Sequence, residues 1–110
     1  MLAGIELDFD AAARAFGQEY FNLVRRGADG SLSLSADRWR LLAATADAFH
    51  FVAQDPAAPD LVVSTVDLDR LVWDQLPKQQ TRSQIRFLFT SGDVWSFSGK
   101  VDLAALDNEA

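Results

Sequence analysis

The chain has 110 residues, a formal net charge of −6, 49% hydrophobic residues and no cysteine. This length predicts a single domain, residues 1–110, with one modest core, and the composition excludes a disordered or fibrous chain. Neither a disulfide framework nor a thiolate metal site can form, and with His50 as the one histidine we expect no metal and no cofactor. The acidic balance argues against nucleic-acid binding.

The start of the chain lacks the features of a secretory signal. Glu6, Asp8 and Asp10 give it the wrong charge, and no apolar stretch approaches the ~18 residues of a membrane span. We therefore expect a cytoplasmic protein. Residues 1–55 and 56–110 each hold eight acidic and five basic side chains, so neither half is a charged tail.

Residues 8–26 are predicted to form an N-terminal helix. Asp8 or Asp10 is a candidate N-cap, and Gly27 is typical of the position after a helix. Apolar residues recur at three- and four-residue spacing, which predicts one buried stripe. Its members are Phe9, Ala13, Phe16, Tyr20, Leu23 and Val24.

A turn at 28–30 precedes residues 31–35, where serine and leucine alternate strictly. Alternation of this kind predicts a half-buried strand, because successive side chains of a strand point to opposite faces.

Residues 36–54 allow two interpretations. As a helix, the segment would bring Trp39, Leu42 and Phe49 to one face, and its alanine-rich middle favours that conformation. As a hairpin, apolar residues would alternate on either side of a turn at 45–47, which the preceding strand and the aromatic residues favour.

The remainder of the chain predicts further strands. The prolines at 56 and 59 indicate a loop at 55–60, followed by a strand at 61–66 and by a turn and strand at 67–73. After a polar loop at 76–83, residues 84–98 alternate around a turn at 90–93 that contains a glycine. One face of this hairpin holds Ile85, Phe87, Phe89, Trp95 and Phe97.

Asp102 is a candidate cap for a short C-terminal helix within residues 100–110. The fold class is therefore predicted as α+β, with an antiparallel sheet or partly open barrel of about six strands and a helix at each end.

The order of elements over residues 30–99 resembles a pleckstrin-homology-like domain of the bacterial or GRAM type. The resemblance rests on Gly30-Ser31-Leu32-Ser33-Leu34, on residues 66–72 around Asp67-Leu68-Asp69, and on the hairpin 85–97. In that family a long helix follows the last strand, whereas here the long predicted helix comes first.

Residues 11–27 also resemble the opening helix of the ketosteroid-isomerase-like cone fold. That resemblance implies a pocket for a small apolar molecule. It requires residues 36–54 to be helical, because the cone fold has further helices before its sheet.

No catalytic constellation appears in the sequence. No residue lies at a spacing from His50 that indicates a catalytic partner. The carboxylate pairs Asp8/Asp10 and Asp67/Asp69 are explained by helix capping and turns. Neither a glycine-rich phosphate loop nor a nucleophile elbow is present. We expect no catalytic residues and no metal ligands.

The candidate binding residues lie in one region. Residues 75–92 contain no carboxylate but hold Lys78, Arg82 and Arg86, a patch suited to an acidic protein or an anionic head group. Trp73, beside Arg70, would be an interface anchor if it were exposed.

These observations favour a non-catalytic domain that binds a protein partner or assembles with itself. The alternatives are a ketosteroid-isomerase-like cone that binds or transforms a small apolar molecule, and an anionic-lipid-binding domain. Stable membrane anchoring usually takes more than the three cations of this patch.

Overall fold

The computed structural model describes residues 4–17, 19–76 and 82–102. Within these residues the chain forms eight strands and one α-helix. In chain order the elements are β1 (Ile5–Leu7), α1 (Phe9–Phe16), β2 (Phe21–Arg26), β3 (Leu32–Ala44), β4 (Ala48–Ala53), β5 (Leu61–Ser64), a 3₁₀ turn (Thr65–Asp67), β6 (Leu68–Gln75), β7 (Ser83–Phe89) and β8 (Val94–Gly99).

All eight strands belong to one antiparallel sheet in the order β1-β6-β7-β8-β2-β3-β4-β5. The sheet curls into a half-barrel with α1 against it, an α+β arrangement compatible with either a pleckstrin-homology-like or a cone fold. The prediction of about six strands was too low, because β1 was not recognised and β2 lies in the segment predicted to be helical.

The N-terminal helix is shorter than predicted. It begins as expected, since the Asp8 carboxylate accepts a hydrogen bond of 2.7 Å from the backbone N–H of Ala11. It ends at Phe16, because Gly17 takes a positive φ of 55° that stops the helix. The prediction of a helix through Arg26 was therefore wrong, and residues 21–26 alternate between the two faces of the sheet as β2.

Residues 36–54 form the predicted hairpin, and the helical alternative is wrong. β3 pairs with β4 from Trp39↔Ala53 to Ala44↔Phe49, with a bulge at Leu42. At the turn, the backbone N–H of Thr45 donates to the carbonyl of Ala48 at 2.9 Å. The further helix that the cone resemblance required over this segment is thus a pair of strands.

The second predicted hairpin is confirmed as β7 and β8. Ile85 pairs with Phe97 and Phe87 with Trp95, so the expected aromatic face forms. The turn at 90–93 contains Gly92 at a φ of 96°, a conformation that favours glycine.

The core lies between α1 and the concave side of the sheet. Phe16 of α1 is fully buried and its ring contacts four rings from four different strands at centroid distances of 4.9–6.0 Å. Those four rings belong to Phe21, Phe51, Phe87 and Phe97. Phe21 in turn needs Gly99, because a Cβ at position 99 would lie 2.8 Å from its ring.

The end of the chain is described only through Asp102. No helix is present in the described residues after β8, and the predicted C-terminal helix lies, beyond Asp102, outside them. Within the described ranges, no helix has the length and apolar character to cross a membrane.

Candidate functional site

The two faces of the sheet differ in chemistry. Paired residues on adjacent antiparallel strands share a face, so the register of β2, β6, β7 and β8 assigns each side chain. The inner face, against α1, carries the buried aromatic and aliphatic residues. The outer face carries two rows that run across five strands, namely Leu32–Arg26–Val94–Leu88–Arg70 and Leu34–Val24–Ser96–Arg86–Val72.

The fold separates charges that are evenly spread along the sequence. Five of the nine described lysines and arginines lie on the outer face of strands: Arg26, Arg38, Arg40, Arg70 and Arg86. Ten of the fourteen described carboxylates lie outside strands, in caps, turns, loops and helical segments. The outer face is therefore locally cationic on a chain of net charge −6.

The first six residues of β3, 32–37, form what we call the β3 extension. Its leucines lie on the outer face, where Leu32 is 67% exposed and Leu34 is 79% exposed. The strand predicted at 31–35 is confirmed, but its leucines are not buried as a half-buried strand would require. The alternation of leucine and serine instead places an apolar stripe in solvent.

The β3 extension also has an open edge. β4 pairs with β3 only from Trp39 onward, and the last contact on that side is the Gln54 N–H, which donates to the Arg38 carbonyl at 2.8 Å. Pro56 and the turn at 55–58 then carry the chain away. Among the described residues, no strand lies beside the β3 extension on the side opposite β2.

The turn before β3 determines which backbone groups face this open edge. The Gly27 N–H donates to the Ser31 carbonyl at 2.9 Å, which makes these two residues a hydrogen-bonded pair. Such pairs alternate with non-bonded pairs along an antiparallel ladder. Arg25 and Ser33 are therefore hydrogen-bonded to each other, whereas the N–H and C=O of Leu32 and Leu34 point to the open edge.

The inner face beside the β3 extension is lined by a cation and aromatic rings. The Arg25 guanidinium carbon lies 4.6 Å from the centre of the Trp95 ring, and Trp95 packs edge-on against Phe89 at 5.0 Å. The Nε of Arg25 is buried and has no hydrogen-bond partner in the described part of the chain. A shallow groove of about 290 Å³ adjoins these rings, lined also by Asp67 and Asp93.

The residues predicted to bind do not form one patch. Arg86 is held by Asp74, whose carboxylate oxygen lies 2.6 Å from its Nε, so its charge is locally neutralised. Arg70 lies in the adjoining row of the outer face, exposed and 3.8 Å from Asp69. Arg82 precedes β7, and Lys78 lies outside the described residues.

Trp73 belongs to the inner face. It is 4% exposed and pairs with Ile5 and Ile85, so it does not present a ring to a partner. Its indole N–H is buried and finds no acceptor among the residues that the structure describes. The tryptophan and Arg70, adjacent in our prediction, thus lie on opposite faces of β6.

The candidate catalytic groups stay apart. His50 lies on the outer face between Ala43 and Val62. Asp67 lies in the 3₁₀ turn, while Asp69 lies at the bulge of β6. Asp8 and Asp10 border an open groove of about 460 Å³ with Phe9 and Thr45. Within the described ranges, no three carboxylate or imidazole groups are placed to hold a metal ion.

Sequence reasoning did not identify the β3 extension and its arginines as a site. The signal was present, because alternation of serine and leucine showed that the leucines share a face. The missing information was which face the core covers, and this depends on where β4 and α1 stop.

Comparisons with known proteins give no further assignment. Neither a protein-family model, nor a curated protein, nor a solved structure matches this chain. The candidate site therefore rests on its own geometry.

Proposed function

We propose that this chain is a non-catalytic protein-interaction domain that binds through the β3 extension. The observation that carries the proposal is the exposure of Leu32 and Leu34 where β3 pairs with β2. Removing apolar surface from water contributes about 25 cal/mol per Å², so two exposed leucines on a rigid strand are a ready source of binding energy.

The filled inner face supports a binding role outside the sheet. Phe16 occupies the centre of the concave side, where a small apolar ligand of a cone-like protein would lie. The Phe16 ring is at packing distance from the rings of Phe51 and Phe97. The outer face is thus the surface that the fold leaves for recognition.

We also propose that the half-barrel is of the pleckstrin-homology-like class. In that class a helix at the C-terminus closes one end of the barrel. Here α1 lies against the inner face from the N-terminal side and buries Phe16 there. The position of α1 supports the idea that an N-terminal helix takes the place of the terminal one.

Selection of a random peptide library against the immobilised chain tests the proposed function. Enrichment is expected on the wild-type chain and is expected to fail on Leu32→Ser/Leu34→Ser. Both positions are exposed, so this double variant should keep its fold, which circular dichroism checks.

The control is Val62→Ser, which removes an exposed apolar residue from β5, away from the β3 extension. Peptides should bind this variant as they bind the wild type. Failure to enrich any peptide, or equal enrichment on the double variant, would refute the proposed function.

A further inference from the structure

We propose that the β3 extension binds its partner by strand addition, and that the added segment is extended, acidic and apolar at alternate positions. This inference rests on the proposed function and names its mode and the chemistry of its partner. Three separate features carry it: the open edge, the exposed leucines and the neighbouring arginines.

The open edge supplies the backbone groups. Leu32 and Leu34 direct their N–H and C=O away from β2, and β4 stops short of them. Residues 32–34 pair in regular register with β2 and the register shifts before Arg38, so the regular part of the extension spans about 10 Å at 3.3 Å per residue, enough for a short segment to pair. A strand added there continues the line of β4 past the point where Pro56 diverts the chain.

The leucines supply a preference for side chains. Residues of an added strand that lie opposite Leu32 and Leu34 share the outer face with them. Apolar side chains at these alternate positions would cover two leucines that are now in solvent. The intervening positions face the inner side, beside Ser33, which is itself exposed.

The arginines supply a preference for charge. Arg38 lies on β3 at the end of the extension, and Arg26 pairs with Leu32 from β2, both on the outer face. Arg26 is exposed and has no ion pair in the described residues, while Arg38 has one long contact of 3.4 Å to the Tyr20 carbonyl. Asp37 is the one carboxylate of the extension, and its negative charge opposes the positive charge of these arginines.

A second copy of the chain is a poorer occupant than an acidic partner. Two copies each carry a net charge of −6, so their encounter is opposed at low ionic strength. A symmetric contact between two outer faces would also place the arginines of one copy against those of the other. An acidic segment of another protein also approaches a chain of net charge −6, but it brings carboxylates rather than arginines against Arg26 and Arg38.

Substitution at one position separates backbone from side-chain recognition. Leu34→Ala removes the leucine and keeps its N–H, whereas Leu34→Pro removes both. Proline is tolerated at an outward-facing N–H of an edge strand, so the variant should fold. With peptides from the selection, we expect Leu34→Ala to raise Kd about 10-fold and Leu34→Pro to raise it a further ~5-fold.

Hydrogen exchange tests the same point without substitution. In the free chain, the amides of Leu32 and Leu34 should exchange faster than that of Ser33, and bound peptide should protect them. If selected peptides bind but leave these amides unprotected, and Leu34→Pro binds as Leu34→Ala does, strand addition is refuted while the proposed function stands.

Charge is tested on both partners. Selected peptides should be rich in Asp and Glu, and replacing these by Asn and Gln should weaken binding several-fold, as should Arg26→Gln/Arg38→Gln. Arg14→Gln, in α1, is the matched control. Basic or neutral peptides that ignore these arginines would overturn the acidic partner, and so would a dimer in light scattering that Leu34→Pro dissociates.

Discussion

The two ends of the strand pair β2–β3 have opposite surroundings. At one end Phe21 and Trp39 pair across the strands on the inner face, and both are buried. At the other end Leu32 and Leu34 are exposed to solvent, beside Arg26 and the half-buried Val24. The same two strands thus hold the core together at one end and present apolar surface at the other. Stability and recognition should therefore respond to different substitutions.

The largest effect is expected at the buried end, from Phe16→Ala. The variant removes a fully buried ring that contacts rings on β2, β4, β7 and β8. Losses for such truncations are about 3–5 kcal/mol in the free energy of unfolding, measurable by urea titration. Phe9→Ala is the control, because Phe9 is 40% exposed. Equal losses in the two variants would contradict the assignment of Phe16 to the centre of the core.

Gly99→Ala should destabilise by overpacking. An added Cβ would lie 2.8–3.1 Å from atoms of the Phe21 ring, closer than side chains pack. The expected loss is about 1–3 kcal/mol in the free energy of unfolding. Ser98→Ala, at the neighbouring outward position, should change it little. A neutral Gly99→Ala would mean that Phe21 can move aside.

At the exposed end, Leu34→Ala is expected to leave the fold nearly unchanged. Because Leu34 is 79% exposed, the free energy of unfolding should change by no more than about 0.5 kcal/mol. The same variant should weaken peptide binding. A large loss of stability would show that the leucine packs in the folded chain, and the contrast between the two ends would fail.

The smallest effect concerns pH at the turn before β3. The backbone N–H and the hydroxyl of Ser31 both donate to the Asp29 carboxylate, at 3.0 and 2.7 Å, and they lower the pKa of Asp29 from 3.8. A lowered pKa stabilises the folded chain above the unfolded value, and this contribution is lost as the pH falls below 3.8 through the folded pKa.

An NMR titration of the Asp29 carboxyl carbon checks this direction. Its midpoint should lie below 3.8 in the wild type and should rise in Ser31→Ala, which loses the hydroxyl donor. Thr90→Ala, in another turn, is the control and should leave the midpoint in place. A wild-type midpoint at or above 3.8 would contradict the prediction.

Local pattern predicted the hairpins well. In each of the segments 36–54 and 84–98, aromatic residues alternate along two strands and turn residues lie between those strands. The alternation and the turn residues therefore both indicate a hairpin. The helix prediction failed after Phe16 because Phe16, Tyr20 and Leu23 fit a helical spacing while Phe21 and Leu23 fit a strand. Gly17 decides between them through its positive φ, which spacing alone does not reveal.

The candidate site was harder to predict because it depends on where neighbours end. The register of β3 against β2 places Leu32 and Leu34 outward. Their exposure follows from the shape of the whole sheet and from the length of β4. The basic patch predicted near Arg86 shows the same limit, since Asp74, twelve residues away, lies 2.6 Å from it.

The unequal lengths of β3 and β4 also bear on how this protein behaves when concentrated. An uncovered strand edge is a template on which chains aggregate, and here the net charge of −6 opposes aggregation by mutual repulsion of the chains. Acid removes that protection as the carboxylates take up protons. Preparations should thus become turbid on acidification, and Leu34→Pro should remain soluble to a lower pH than the wild type. The same substitution would therefore weaken peptide binding and increase solubility.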